Sequence, residues 1–318
     1  MQCHEFSLAN PLVCSGELAV AVGTFDGVHL GHQRLIRRLV AGARKERLPA
    51  AVLTFEPHPL EVLRPGNGPR RLTLPEEKAA ILATLGVDLL LVMRFDRQLA
   101  AMSPADFARE VLEGMLRARR VHVGFSFSFG REGLGTPADL LRWGEERGAR
   151  VEVFPPVRVR GRVVSSTAIR EAVMQGAVAR ARTMLGRPYG VTGRVVRGDG
   201  RGRGLGYPTA NVECDPRKVM PAPGVYAVWV NATLPGVANF GRRPTFGGGE
   251  ARLEVYLPGI DRDLYGEPIE VAFWRRLRGE RCFPDPAALA RQLEVDSRRA
   301  LAALRVYSRG VVCYNRSG

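Results

Sequence analysis

Histidine is scarce in this sequence, and three of its five histidines lie in two short N-terminal motifs. The first motif, G-T-F-D-G-V-H-L-G-H, occupies residues 23–32 and includes His29 and His32. It follows an apolar run and precedes a helical pattern, so it lies at a helix N-terminus, where anions bind. Its glycines let the backbone approach a ligand closely. Two imidazoles three residues apart can donate hydrogen bonds to phosphate oxygens, and the motif therefore predicts a phosphate site.

The second motif, E-P-H-P at residues 56–59, contributes His58 at the end of another apolar run. In a parallel sheet both motifs lie at the carboxyl edge of the strands, where ligands bind. An ordinary turn role for each histidine is one alternative. A zinc site is another, but it needs three or four ligands, and we find no third and fourth ligand in the sequence. We therefore favour phosphate binding.

A second constellation lies in the other half of the chain. Glycines alternate with other residues over 198–206, and P-T-A-N follows at 208–211. Such a loop can wrap a phosphate, although a loop between two strands also uses glycine. It lacks the G-K-(S/T) ending of a Walker A motif. The oxygens of Thr209 and Asn211 are ligands that suit Mg²⁺.

The elements that must position these residues fall into two patterns. The first half alternates strand and helix signals, which predicts a mostly parallel, Rossmann-like sheet covered by helices. After about residue 186, short alternating runs at roughly 10–15-residue spacing predict a small antiparallel barrel or sandwich. A helix is predicted from Asp285 to about residue 304. The predicted domains are residues 1–186 and 187–307, followed by a tail at 308–318.

The chain has 47 lysines and arginines against 32 acidic residues, a net charge of +15. Only Lys45, Lys78 and Lys218 are lysines. This charge favours anionic ligands, but no block of five or six like charges occurs. We therefore predict an arginine-rich solvated surface rather than a specific nucleic-acid site.

The lengths of the apolar runs and the spacing of the cysteines indicate the cellular compartment of the protein. The longest apolar stretch, residues 87–93, is far shorter than the roughly 18 residues of a membrane span. The N-terminus lacks the pattern of a signal peptide. Five scattered cysteines without C-x-x-C spacing indicate a reducing compartment and no structural zinc. We expect a cytoplasmic protein without a membrane partner.

The N-terminal motifs carry a resemblance to a known family. H-x-G-H after a first strand resembles the nucleotidyltransferase superfamily. The longer motif, together with F-E-P-H-P at 55–59, resembles the adenylyltransferase module of bacterial bifunctional FAD synthetases. V-S-S-T-A-I-R at 164–170 matches that family's motif for ATP phosphates. V-G-F-S-F-S-F-G at 123–130 matches in part, since Ser126 replaces Asn or Asp and Ser128 replaces Arg.

The C-terminal motifs resemble the riboflavin kinase module of the same family. G-R-G-R-G-L-G-Y-P-T-A-N spans 200–211, and further matches occur at 223–227, 236–246, 253–256, 263–266 and 277–280. The resemblance implies that Thr209 and Asn211 coordinate Mg²⁺ and that Glu254 is the catalytic base. A base fits the chemistry, because the ribityl 5′-hydroxyl must lose its proton during attack. The resemblance also implies a kinase barrel with a terminal helix.

The predicted function is phosphorylation of riboflavin to FMN by the C-terminal domain, then transfer of AMP to FMN by the N-terminal domain. ATP is the co-substrate of both steps, and flavin is substrate and product rather than cofactor. The second step needs no base, since the phosphate of FMN is already an anion. Three alternatives remain open: a kinase with a weakened adenylyl site, a transferase for another phosphate ester, and a basic nucleic-acid binder with relic sites.

The predicted site residues form three sets. The predicted catalytic residues are His29, His32, Arg170 and Glu254. The N-terminal ATP and phosphate contacts are expected at Gly23, Thr24, Phe25, Asp26, Gly27, Gly31, His58, Ser126, Ser165, Ser166 and Thr167. The C-terminal ATP and flavin contacts are expected at Gly202, Arg203, Gly204, Gly206, Pro208, Asn239, Arg243, Arg278 and Glu280.

Overall fold

The computed structural model describes residues 1–197, 208–241, 251–260 and 264–314. The chain divides into two compact units, Met1–Ser166 and Thr167–Gly318. In the first unit, strands alternate with helices. In the second, antiparallel strands precede a long helix.

The first unit is built on one parallel sheet of six strands in the order β1-β4-β3-β2-β5-β6. The strands are β1 (Gln2–Phe6), β2 (Leu18–Val22), β3 (Ala50–Glu56), β4 (Leu89–Arg94), β5 (Ala118–Gly124) and β6 (Arg150–Phe154). All five residues of the central β2 are buried, as its apolar run predicts. Four of the five residues of β1 are exposed, so this edge strand lacks the apolar pattern that would have revealed it.

Helices cover the sheet. They are α1 (Leu30–Glu46), α2 (Pro59–Leu63), α3 (Pro75–Thr84), α4 (Arg97–Ala101), α5 (Pro104–Asp106) with a following π-helix (Phe107–Met115), a 3₁₀ turn (Arg131–Gly133) and α6 (Pro137–Arg147). Leu35, Ile36 and Leu39 of α1 pack on one face of the sheet. Phe107 and Val111 of the π-helix pack on the other. The π-helix has the apolar period of an ordinary helix, so its sequence pattern does not reveal it.

Local signals fix the helix ends. Pro75 occupies the first turn of α3, and the Glu77 side chain accepts a hydrogen bond from the Leu74 N–H at 2.9 Å. Asp139 does the same for Thr136 at the start of α6. Gly148 ends α6 in the left-handed region, with φ of 68°. Acidic residues in the first turn and a glycine after the last turn are the usual capping patterns of helices.

The second unit contains a closed antiparallel barrel in the strand order β10-β13-β12-β11-β14-β9. Ahead of it in the chain, and within the first unit, β7 (Arg158–Val159) and β8 (Arg162–Val163) form a small hairpin. The barrel strands are β9 (Tyr189–Val196), β10 (Thr209–Cys214), β11 (Gly224–Val230), β12 (Leu234–Gly241), β13 (Arg252–Tyr256) and β14 (Pro268–Arg278). The predicted fold class is therefore confirmed: a Rossmann-like sheet, then an antiparallel barrel.

Three helices flank the barrel strands in sequence. Helices α7 (Ser166–Met174) and α8 (Val178–Leu185) precede them, and α9 (Pro286–Tyr314) follows them. Helix α8 packs on β14 and β9, and α9 packs on β11, β12 and β14. Ala300 and Leu304 of α9 are buried against Val225 and Val237 of the barrel. Among the residues that the structure describes, no helix is long and apolar enough to cross a membrane.

Candidate active sites

The loop between β2 and α1, residues 23–29, has an unusual backbone that several side chains hold in place. Phe25 and Val28 have positive φ angles of 47° and 37°, which residues with a Cβ rarely adopt. The buried Asp26 carboxylate accepts hydrogen bonds from the N–H groups of Leu72 and Thr73 at 2.9 and 3.0 Å. The Thr73 hydroxyl accepts one from the Gly27 N–H at 3.0 Å. Such strain persists only where the surroundings fix the backbone.

The two histidines of the first motif, His29 and His32, stack on each other. Their ring centroids are 3.6 Å apart with the planes 16° apart. His29 Nδ1 accepts the N–H of His32 at 3.3 Å and caps α1. In the neutral ring the proton then lies on Nε2, which is a donor. Burial, together with the neighbouring His29, lowers the pKa of His32 well below its ordinary value, so this ring is neutral at physiological pH.

The third motif histidine also caps a helix. His58 Nδ1 accepts the N–H of Leu60 at 3.1 Å at the start of α2. The two motifs meet in one cavity of about 490 Å³ at the carboxyl ends of the strands of the first unit. The predicted residues that line it are Gly23, Thr24, Phe25, His29, Gly31, His32, His58, Ser126, Ser165 and Ser166.

Four predicted residues are not among the cavity-lining residues that the structure describes. Asp26 and Gly27 hold the loop backbone instead, and Ser166 Oγ donates a hydrogen bond to the Asp26 carbonyl at 2.8 Å. Thr167 and Arg170 lie further along α7, within the second unit.

An aromatic wall also lines the cavity, and no motif in the sequence predicted it. Its phenylalanines come from separate segments of the first unit, namely Phe55, Phe95, Phe107, Phe125, Phe127, Phe129 and Phe154. Phe127 and Phe129 stack at 5.6 Å. The alternation F-S-F-S-F at 125–129 was the available signal. A wall of this kind suits a planar ring system.

Two buried cations beside the cavity were also missed as site residues. Arg71 is 3% exposed and donates to both oxygens of Glu56 at 2.8 and 3.0 Å, and to Glu61 at 2.7 Å. Lys78 is 4% exposed and donates to the Thr24 carbonyl and the Thr54 hydroxyl. Neither residue lies in a motif, so only their charge could have drawn attention.

A second candidate site, made of polar side chains, lies on three adjacent strands of the barrel. Asn211 of β10 pairs opposite Glu254 of β13, and Glu254 pairs opposite Asn239 of β12. Residues directly opposite each other project from the same face of a sheet. Leu253 and Val255, which flank Glu254, are buried, so Glu254 lies on the outer face of the barrel. Thr209, two positions before Asn211, shares that face.

The donor set fits a hard cation. Asn211 is 7% exposed, and its Oδ1 is buried without a hydrogen-bond partner among the described residues. A buried acceptor left this way is costly, so a ligand for it is expected. Amide and hydroxyl oxygens suit Mg²⁺. Within the described residues, no group of three His, Cys, Asp or Glu could hold a metal ion.

The other predicted barrel residues lie in different places. Arg278 forms an ion pair with the buried Asp296 of α9 at 2.8 Å. Glu280 lies against Gly241, where an added Cβ would overlap its carboxylate. Pro208 precedes β10 and is exposed. Gly202, Arg203, Gly204, Gly206 and Arg243 lie outside the described residues.

The fold and the two sites define a class: an enzyme in which a nucleotide-binding α/β unit precedes a phosphotransferase barrel. Family models agree, matching FAD synthetase over residues 13–168 and riboflavin kinase over residues 185–304. The bifunctional riboflavin kinase/FMN adenylyltransferase of Escherichia coli K12 is 41% identical, covering 92% of this chain and 93% of its own length. The protein of that name from Bacillus subtilis is 36% identical over 89% and 91%.

The chain therefore belongs to the bifunctional riboflavin kinase/FMN adenylyltransferase family. It phosphorylates riboflavin and adenylylates FMN, and the adenylyltransferase part precedes the kinase part, as predicted. A solved structure titled as a macrolide-efflux protein from Streptococcus pneumoniae has the same fold. Its TM-score is 0.86 at 34% identity, with 94% of this chain and 98% of the other covered.

Proposed function

We propose that Glu254 is the base of the kinase step. The observation that carries this is the register of Asn211, Glu254 and Asn239 on three adjacent strands. The Glu254 carboxylate takes the proton of the riboflavin 5′-hydroxyl as that oxygen attacks the terminal phosphorus of ATP, and ADP leaves as the bond from that phosphorus to the bridging oxygen breaks. The Asn211 amide oxygen and the Thr209 hydroxyl would hold Mg²⁺, which would supply positive charge to neutralise the phosphates. Arg278 and Glu280 are proposed to border the flavin and ATP.

In the adenylyl step, the proposed work of the protein is alignment and charge neutralisation. The rings of His29 and His32 donate hydrogen bonds to ATP phosphates at the N-terminus of α1. His58 adds a third imidazole from the β3 edge, while Ser165, Ser166, Thr167 and Arg170 supply hydroxyls and a charge. The FMN phosphate attacks the α-phosphorus of ATP, and pyrophosphate leaves. The aromatic wall receives one of the planar rings.

The proposed modules are residues 1–186 for adenylyl transfer and 187–307 for the kinase, with a tail at 308–318. The two family models stop at 168 and start at 185, leaving a short connecting segment. That segment includes most of α8, which packs on the barrel strands, and the compact units divide before it, at 166/167. We also propose that both steps take place in the cytoplasm, where ATP is supplied.

A paired assay tests these roles. Purified protein receives riboflavin or FMN with ATP and Mg²⁺, and the flavins are separated by chromatography. Glu254→Gln should lower FMN formation by about 10²–10⁴-fold while FAD formation from FMN persists. His32→Ala should do the reverse. Lys45→Met, an exposed change on α1, is the control. If Glu254→Gln leaves the kinase rate intact, the proposed base is wrong; if the unaltered chain stops at FMN, the proposed adenylyl site is wrong.

A further inference from the structure

Lys78 is one of three lysines in a chain whose other basic side chains, apart from histidine, are all arginine. It lies on α3 and is 4% exposed. Burying an ammonium group is costly unless its hydrogen bonds are satisfied. A strongly hydrated, compact ammonium is also the harder of the two basic groups to bury. Its position therefore calls for a reason other than solubility.

The contacts of Lys78 converge on the β2–α1 loop. Its Nζ donates to the Thr24 carbonyl at 2.8 Å and to Thr54 Oγ1 at 3.2 Å. Thr54 Oγ1 in turn donates to the same Thr24 carbonyl at 3.1 Å. Thr24 lines the cavity and immediately precedes Phe25, the first residue of positive φ. Lys78 thus anchors the β2–α1 loop at the Thr24 carbonyl, immediately before the residues of positive φ.

The charge of Lys78 faces a defined set of neighbours. The carboxylates of Asp26 and Glu56 favour its protonated form, and the Arg71 guanidinium opposes it. The Lys78 charge itself helps to keep His32 neutral, alongside burial and His29. Burial dominates and lowers the pKa of Lys78 from 10.5 to about 8. The loop therefore has a positive charge behind it at neutral pH and loses it in mildly alkaline solution.

We infer that Lys78 is a positioning residue of the adenylyl step, fixing the Thr24 carbonyl and placing a positive charge behind the loop that binds the phosphates. It touches no substrate and acts through the loop. The inference rests on the proposed adenylyl site, since the histidine cavity must be where ATP binds. The barrel contains none of these groups, so the kinase step is independent of Lys78.

The test compares Lys78→Met with the unaltered chain in both half-reactions. We expect kcat/KM for ATP in FAD formation to fall about 10–100-fold, mainly through KM, because loop misplacement weakens phosphate contacts. FMN formation by the same preparation should stay within about twofold of normal, which shows that the chain is folded. Thr54→Val removes one hydrogen-bond acceptor of Lys78 but keeps the Lys78 charge. It should lower kcat/KM for ATP only a few-fold. An unchanged adenylyl rate in Lys78→Met would overturn the inference.

The pH profile separates positioning by charge from a merely structural role. In the unaltered chain, kcat/KM for ATP should decline above about pH 8, as Lys78 loses its proton. Lys78→Met should be slow but flat across that range, and Lys45→Met should keep the normal decline. A decline that persists in Lys78→Met would contradict the role of the charge. If the unaltered chain forms no FAD at all, the proposed function fails before this inference is reached.

Discussion

Lys78→Met should make the first unit more stable at neutral pH while it slows adenylyl transfer. A pKa lowered from 10.5 to about 8 means that the folded state disfavours the charged amine. This corresponds to about 3 kcal/mol near pH 7. The methionine variant escapes that cost but loses the two hydrogen bonds to Thr24 and Thr54, worth about 1 kcal/mol each. The expected net gain is about 1 kcal/mol.

In alkaline solution the difference in stability should reverse, so that Lys78→Met becomes less stable than the unaltered chain. Between about pH 8 and pH 10.5 the unfolded chain holds a proton on Lys78 that the folded chain has released, so the stability of the unaltered protein rises with pH. By about pH 10 the cost of the charge is below about 1 kcal/mol. The lost hydrogen bonds then dominate, and the variant should be about 1 kcal/mol less stable.

Urea unfolding monitored by far-UV circular dichroism, at about pH 7 and about pH 10, measures this crossover. The two units can unfold in separate transitions, and only one should shift. Other titrating groups contribute equally to the free energies of unfolding of both proteins, so their contributions cancel when one value is subtracted from the other. Lys45→Met is the matched control, since it removes an exposed lysine, and its difference should not depend on pH. If the difference in free energy of unfolding between Lys78→Met and the unaltered chain is the same at both pH values, the reasoning is refuted.

Three further predictions concern packing and anchoring. Gly193→Ala should destabilise the barrel by about 3 kcal/mol in urea unfolding, because its Cβ would overlap the Glu213 carbonyl oxygen; a normal midpoint would contradict the barrel pairing. Arg278→Met should cost about 3–5 kcal/mol by leaving the buried Asp296 carboxylate without its ion-pair partner, and the thermal midpoint of the barrel should drop accordingly. Asp26→Ala should release the β2–α1 loop, so FAD formation falls at least tenfold while FMN formation persists; equal losses in both reactions would argue for general unfolding.

The positions of the two N-terminal motifs are predictable because each lies directly beside a strand. A run such as Leu18–Val22, buried on both faces, is typical of a central parallel strand, and the next residues of the chain must emerge at the carboxyl edge. The sequence therefore places histidines 29, 32 and 58 at one edge of the sheet. In the same way, the alternation of Leu253, Glu254 and Val255 gives one side of a strand to the core and the other to Glu254.

Some elements carry too little local signal. The exposed edge strand β1 has no apolar face, and the π-helix at Phe107–Met115 has the apolar period of an ordinary helix. Patterns that are too weak, or too similar to those of another element, cannot be assigned from the sequence.

What the sequence alone determined was the chemistry available and its order along the chain: a histidine loop, a serine–threonine motif, an asparagine pair and a glutamate, divided between an α/β pattern and a β pattern. The tertiary structure decided which of these meet. Lys78 reaches Thr24 across 54 positions, and the aromatic wall is assembled from separate segments. Register places Glu254 between Asn211 and Asn239. Periodicity reports which face of an element is buried, whereas contacts between distant segments depend on packing and register, which no local pattern encodes.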